Sequence, residues 1–157
     1  MSEFQIRLAV SEDAPQLVEF NRAMARETED LGLDPDTVTA GVRAMLDHPE
    51  RGFYVVAARG TRLAGALMIT TEWSDWRNGL FWWIQSVYVC PECRRQGVYR
   101  TLYHFVHALA GERAEVCGFR LYVERENHGA QETYRSLGMR RTRYLVYEAS
   151  TRDPAPS

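Results

Sequence analysis

The sequence predicts an α/β fold built on one mixed β-sheet, and three observations lead there. β-branched and aromatic runs alternate with segments of helical periodicity along the chain, in the order β-α-α-β-β-β-α-β-α-β. The runs 53–59 and 63–71 are separated only by Gly60-Thr61, a hairpin turn that makes its two strands antiparallel. The helical segment after the central strand is long enough to act as a crossover, so the strands on either side of it run parallel. At 157 residues the chain is read as one domain over 1–149 with its own core, followed by a flexible tail over 150–157 that holds Pro154 and Pro156.

Taken in order, residues 4–10 alternate, with Phe4, Ile6, Leu8 and Val10 on one side, as in a half-buried strand. Ser11 reads as an N-cap, with Glu12 and Asp13 in the first turn and Leu17, Val18 and Met24 on the apolar face of a helix ending near Glu27. Asp34-Pro35 opens a second helix, aspartate as cap and proline at the first position. The hairpin 53–71 follows, then a turn-forming loop, Ser74-Asp75-Trp76-Arg77-Asn78-Gly79, and the long central strand 80–89. Val98, Leu102, Phe105, Val106 and Leu109 mark one face of the next helix, with Gly118 closing that region and 119–124 forming a strand. A short helix runs through Tyr134 to a glycine cap at Gly138, and 143–148 is the last strand.

The stretch Val87-Tyr88-Val89-Cys90-Pro91-Glu92-Cys93-Arg94-Arg95-Gln96-Gly97-Val98-Tyr99-Arg100 carries the first chemical signal. A buried strand stops at Pro91, a basic turn follows, and a glycine leads into a helix. A helix start presents unpaired N–H groups and partial positive charge, which suit an anion and phosphate above all. Gly97 allows close backbone approach, and Arg94, Arg95 and Arg100 offer charge-assisted hydrogen bonds. The competing reading is a basic surface turn before an ordinary helix.

Composition narrows the classes. A net charge of −2 lacks the basic excess of a dedicated nucleic-acid binder. No apolar run approaches the roughly 20 residues needed to cross a bilayer, and the first residues lack the basic and apolar regions of a signal peptide. A cytoplasmic protein without membrane partner is therefore expected. Cys90-Pro91-Glu92-Cys93 spells Cys-x-x-Cys, but a structural zinc site needs four ligands and Cys117 has no paired motif around it. No metal is expected, and a redox protein built on the pair is the alternative.

Arg94-Arg95-Gln96-Gly97-Val98-Tyr99 resembles the acetyl-CoA pyrophosphate loop of the GCN5-related N-acetyltransferase (GNAT) family, Gln/Arg-x-x-Gly-x-Gly/Ala, with Tyr99 standing where glycine or alanine is usual. The Val-Tyr-Val-x-Pro-Glu before it is similar to that family's cofactor strand, and the element order matches the acyl-CoA N-acyltransferase fold over roughly 4–148. Asn127-His128-Gly129-Ala130-Gln131-Glu132-Thr133-Tyr134-Arg135-Ser136-Leu137-Gly138-Met139 resembles the family's second motif. The resemblance implies that Val87, Tyr88, Val89, Arg94, Arg95, Gln96, Gly97, Val98, Tyr99, Asn127 and Tyr134 meet acetyl-CoA, with its pantetheine in a splay between the central strand and 119–124. It also implies that Tyr134 protonates the departing thiolate, as a phenol with a pKa of about 10 can. Read from the residues alone, Asn127 caps a helix and Tyr134 packs in a core.

The family often places a carboxylate base on the central strand, where this chain has Trp82, Trp83 and Gln85, so Glu124 and Glu29 are the candidate bases. Glu27, Glu29, Asp30, Asp34 and Asp36 give the first two helices a negative charge that favours a cationic amine. The expected function is transfer of acetyl from acetyl-CoA to a primary amine, a small molecule ahead of a protein, by direct attack in a ternary complex. The alternative is an acyl-CoA-binding module of the same fold without turnover. The resemblance implies a homodimer as well.

Overall fold

A computed structural model describes residues 3–152. The chain divides into two compact units, Met1–Tyr122 and Val123–Ser157. The first holds β1 (Gln5–Leu8), a single 3-10 turn (Ser11–Asp13), α1 (Ala14–Glu29), α2 (Pro35–Asp47), β2 (Gly52–Arg59), β3 (Arg62–Ser74), β4 (Gly79–Val89), a second 3-10 turn (Pro91–Cys93), α3 (Val98–Gly111) and β5 (Val116–Arg120). The second holds α4 (His128–Ser136).

The sheet of the first unit is five-stranded with order β1-β2-β3-β4-β5. Its first three pairings are antiparallel, and β4 with β5 is parallel across the α3 crossover, giving the expected mixed sheet. β2 reads as an unbroken apolar run because both of its faces are covered. On one face, Leu17, Val18 and Phe20 of α1 and Val42 of α2 pack against Tyr54, Val56, Ala58, Leu63, Ala66 and Tyr88. The alternate residues Val55, Leu67 and Ile69 are fully buried on the other face, where α3 packs on β2 and β3 through a helix surface that buries Val98, Leu102 and Val106. Each such aliphatic side chain contributes about 1.5–3 kcal/mol by leaving water.

Several boundaries differ from the sequence expectation, each for a physical reason. Asp13, not Ser11, organises the start of α1, and the helix begins at Ala14. The Asp13 carboxylate accepts from the Val10 amide at 2.8 Å and pairs with Arg7 at 2.7 and 3.1 Å. α2 starts as expected, with Asp34 Oδ2 accepting from the Thr37 amide at 3.0 Å. β5 lies earlier than 119–124, and Gly118 sits inside it instead of ending a helix. A Cβ there would stand 3.0 Å from the Phe81 ring, so the glycine makes room for that ring within the sheet. The expected strand 143–148 is absent from the structure, where those residues carry no regular ladder. A strand exists only against a neighbour, and Tyr144, Leu145 and Val146 are each 69% exposed. Of the expected tail, 153–157 lies outside the described residues. No helix among the described residues is long and apolar enough to cross a membrane.

Asp13 is 5% exposed, and burial alone would raise its pKa; the Arg7 and Val10 hydrogen bonds outweigh that and hold it below the usual carboxylate range. Its stabilisation is thus present above the unfolded value near 4 and is lost as pH falls through the lower folded value. Asp13→Asn is expected to destabilise the chain by about 2 kcal/mol in urea unfolding at pH 7, the difference from wild type shrinking below about pH 4.

Candidate active site

β4 is the element on which the candidate site is built. Its pairing with β5 ends at Trp83↔Arg120, although β4 itself runs on to Val89. Among the described residues no strand pairs with the outer edge of that last stretch, where the resemblance implies a splay. On the inner edge, register with β3 slips between Ala66 and Met68, so that Ser86 and Val87 both stand opposite Leu67. Ser86 sits at φ 51, the left-handed backbone of a bulge that bends and twists the strand. Gly65 permits the tight packing beside it, since a Cβ there would lie 2.9 Å from the Tyr88 carbonyl oxygen.

Pro91 stops the strand, and the turn that follows is fixed by its own side chains. Arg94 Nε donates to the Val89 carbonyl at 2.9 Å, and Nη2 donates to both oxygens of Glu27, at 3.0 and 3.2 Å. Its guanidinium also lies 5.4 Å from the centre of the Tyr88 ring, which packs on Phe20 at 5.2 Å. Burial first, and then the Glu27 charge, push the Tyr88 phenol above its ordinary value. Arg94 thus braces the strand exit against the end of α1. Gln96 Nε2 donates to the Glu92 carbonyl at 3.0 Å, which closes the turn.

Arg95 at φ 65 and Gly97 at φ 77 are both left-handed, a backbone state found in the turns that can gather amides toward an anion. Gly97 is the N-cap of α3 and no side chain caps that helix. A Cβ at Gly97 would meet nothing within 4 Å, so the space over the helix start is open. Val98 is buried as part of the core, and Arg95 is exposed. The Tyr99 ring lies 6.3 Å from that of Tyr103 one turn along α3, so the residue that departs from the family pattern leans on its own helix.

The face of the sheet that α1 and α2 cover continues past them as a polar and aromatic surface. Met68, Thr70 and Glu72 of β3 stand opposite Gln85, Trp83 and Phe81 of β4. Gln85 Nε2 donates to Thr70 Oγ1 at 2.5 Å, and the Trp83 indole donates to Glu72 at 3.1 Å. Arg120 pairs with the same Glu72 oxygen at 2.7 Å and lies 3.7 Å from the Phe81 ring centre. Tyr122 flanks Trp83 at 6.2 Å. Trp82 points to the other face and is core, 3% exposed, whereas Trp73 and Trp76 are exposed. The sequence ends the second hairpin strand at residue 71, which leaves Glu72 outside it, whereas β3 runs on to Ser74. The alternation of Glu72 with Met68 and Thr70 was the available signal.

In the second unit Asn127 is the N-cap of α4, its Oδ1 accepting from the Ala130 amide at 3.1 Å. Tyr134 lies on α4, and burial pushes its phenol above the ordinary tyrosine value, so it stays protonated at neutral pH. The helix closes at Gly138, φ 92, with the Met139 amide donating to the Tyr134 carbonyl at 3.0 Å. Glu124 is exposed, its Oε2 accepting from the Glu126 amide at 2.7 Å, and Glu29 is exposed at the end of α1. The carboxylate that does reach the strand exit is Glu27, through Arg94.

The cysteines are free thiols, and burial, with the Glu92 charge next, raises the pKa of Cys90, which keeps it protonated at neutral pH. Among the described residues no group of three or more His, Cys, Asp or Glu is placed to hold a metal.

Comparisons with known proteins fit this geometry. The chain resembles the crystal structure of a possible acetyltransferase from Clostridium difficile 630, with 41% identity over 96% of this chain and 99% of that one and a TM-score of 0.88. It shares its fold with a predicted acetyltransferase with acetyl-CoA from Clostridium acetobutylicum, at 17% identity over 93% and 96% of the two chains and a TM-score of 0.77. It shares it also with an aminoglycoside acetyltransferase from an uncultured soil metagenomic sample, in complex with trehalose, at 16% identity over 96% and 97% and a TM-score of 0.75. The comparison with curated proteins finds no match. The model of the acetyltransferase (GNAT) family matches residues 14–139, most of the first unit and the first half of the second. With its sheet, its helix-start loop and its asparagine-capped α4, the chain belongs to the GNAT acetyltransferase family.

Proposed function

We propose that the protein is an N-acetyltransferase that moves the acetyl group of acetyl-CoA to a primary amine of a small molecule, by direct attack in a ternary complex. The observation that carries this reading is the continuity of the open β4 edge with the left-handed, uncapped start of α3. An extended pantetheine arm can hydrogen-bond an open strand edge, and a pyrophosphate suits the helix start that follows it. Val87, Tyr88 and Val89 present the backbone for the arm, and Gln96, Gly97, Val98 and Tyr99 present it for the phosphates. Arg95 adds charge, Arg94 holds the loop in place through Val89 and Glu27, and Asn127 meets the arm. The family match running from 14 to 139 supports treating 1–149 as one acetyltransferase domain; that the protein is cytoplasmic and homodimeric belongs to the same proposal.

The amine nitrogen attacks the thioester carbon, the C–N bond forms, and the C–S bond breaks. A β4 amide near Tyr88 or Val89 polarises the carbonyl. Tyr134, held protonated by burial, gives its proton to the leaving thiolate. Glu29 or Glu124, through ordered water, takes the proton from the amine. Trp83, fixed by its hydrogen bond to Glu72, offers the acceptor a flat, half-exposed surface. The aminoglycoside acetyltransferase among the fold neighbours makes aminoglycosides reasonable first compounds in an amine screen.

The absence of a carboxylate from β4 favours one second reading, an acyl-CoA-binding module that does not turn over. Calorimetric titration with acetyl-CoA, followed by an amine screen that detects released CoA, separates the two. Micromolar binding with turnover is expected, binding without turnover would leave the module, and no binding would overturn both. Gly97→Asp is expected to weaken acetyl-CoA binding by about tenfold or more relative to Gly97→Asn, which carries the same backbone strain at φ 77 without the charge, because the carboxylate repels phosphate at the helix start. Tyr134→Phe is expected to lower kcat by about a hundredfold. The alkaline limb of the wild-type kcat profile should lie above about pH 10, since the raised phenol pKa keeps the donor protonated until then. For Trp83→Ala, steady-state kinetics should give an amine KM raised by about tenfold with the acetyl-CoA KM within about twofold of wild type.

A further inference from the structure

We infer that Cys90 and Cys93 form a paired modification site, two thiols that exchange with a low-molecular-weight disulfide and close into a disulfide of their own. This goes beyond acetyl transfer and stands without it. Cys90-Pro91-Glu92-Cys93 is a sequence motif that the proposed function leaves unused. Its backbone already makes the bend that a disulfide needs. Pro91 sets its own φ at the corner, and the Cys93 amide donates to the Cys90 carbonyl at 2.9 Å, closing a four-residue turn. The Cα atoms at the ends of such a turn lie within about 7 Å, and a disulfide spans about 4.4–6.8 Å. The turn is pinned from outside as well, the Cys90 amide donating to the Ala64 carbonyl at 2.8 Å and the Arg94 amide to the Pro91 carbonyl at 3.3 Å.

The two sulfurs also meet around one residue. Cys90 Sγ donates to the Leu63 carbonyl at 3.5 Å, and Cys93 lines, with Leu63, Ala64 and Arg62, an open cavity of about 210 Å³. That cavity gives one end of a small disulfide a way to Cys93. The Cys93 thiolate attacks one of its sulfurs, a mixed disulfide forms, and the first small thiol leaves. Cys90 then attacks the Cys93 sulfur and expels the second. The protein gives up two protons and two electrons, and the small disulfide is reduced to two thiols. Burial, and then the charges of Glu92 and Cys93, raise the Cys90 pKa against the pull of Arg62 and Arg94, so the closing step quickens as pH rises toward that value. The ring so formed encloses Glu92, whose carbonyl accepts from Gln96, and the modification therefore falls within the turn that leads into α3. Cys117 lies on β5 and is exposed, a single thiol that any test has to silence.

The full chain carrying Cys117→Ser, brought to equilibrium with reduced and oxidised glutathione at about pH 8.5, quenched in acid and mapped by mass, tests this. The tryptic peptide 78–94, which holds both cysteines, is expected to lose about 2 Da and to carry no glutathione. The equilibrium constant for closing the disulfide should be at least about tenfold higher in the folded chain than in the same chain unfolded in urea, because the folded turn holds the thiols together. Adding Cys90→Ser removes the resolving sulfur, and the glutathione adduct on Cys93 should then rise by about tenfold or more. Far-UV circular dichroism checks that each variant is folded. Two free thiols at equilibrium, or a glutathione retained when both cysteines are present, would overturn the proposal. A closing constant no higher in the folded chain than in urea would overturn it too, since the turn would then contribute nothing. An adduct unchanged by Cys90→Ser would remove the pairing of the two sulfurs and the proposal with it.

Discussion

The constraint on which the rest depends is the early end of the one parallel pairing in the sheet. β4 is paired on both edges at Trp83 and on only one by Val89, and the bulge at Ser86 sits between. An unpaired edge inside a fold is costly unless something hydrogen-bonds to it. The same strand then stops at Pro91 and hands the chain to a turn whose helix start also lacks a side-chain cap. Two adjoining sets of backbone donors and acceptors are thus left open by the chain's own geometry, and the turn joining them is held by Arg94. The packing of α1 and α2 on one face and α3 on the other keeps β4 in place.

Much of this was legible in the sequence because it is local. Asp34-Pro35, the hairpin at Gly60, the long run of β4 and the Gly97 helix start each carry their signal within a few residues, and each appears in the structure. What was not legible is carried by partners far apart in the chain. β5 was misplaced because its glycine reads as a breaker until Phe81 is seen to fill the space above it. The brace from Arg94 to Glu27 is invisible locally because Glu27 is far away in the sequence. Glu72 falls just beyond the predicted strand because β3 outlasts its apolar run. The segment 143–148 has every local mark of a strand, and only the absence of a neighbour decides against it.

Site chemistry follows the same division. The roles of Asn127 and Tyr134 were expected from resemblance. The structure adds that Asn127 caps its helix as a plain reading of the residues also required. Capping uses one lone pair of the side-chain oxygen and leaves the amide group of the side chain with donors to offer, so the two readings do not compete. For Tyr134 they do not compete either, since a phenol is protonated at neutral pH and burial moves its pKa further up.

A strand has an edge and two faces, and β4 uses them for different things. Its edge offers only peptide groups, which are the same whatever the side chains are. Its faces offer Trp83 and Gln85 on one side and core residues on the other. Recognition by the edge is therefore insulated from substitution, while recognition by the exposed face is open to it. Under the proposed function, a lineage carrying this strand could exchange Trp83, Gln85 and their partners Thr70 and Glu72 to accept new compounds without rebuilding whatever the edge holds. Conservatism and novelty are separated here by the thickness of one polypeptide.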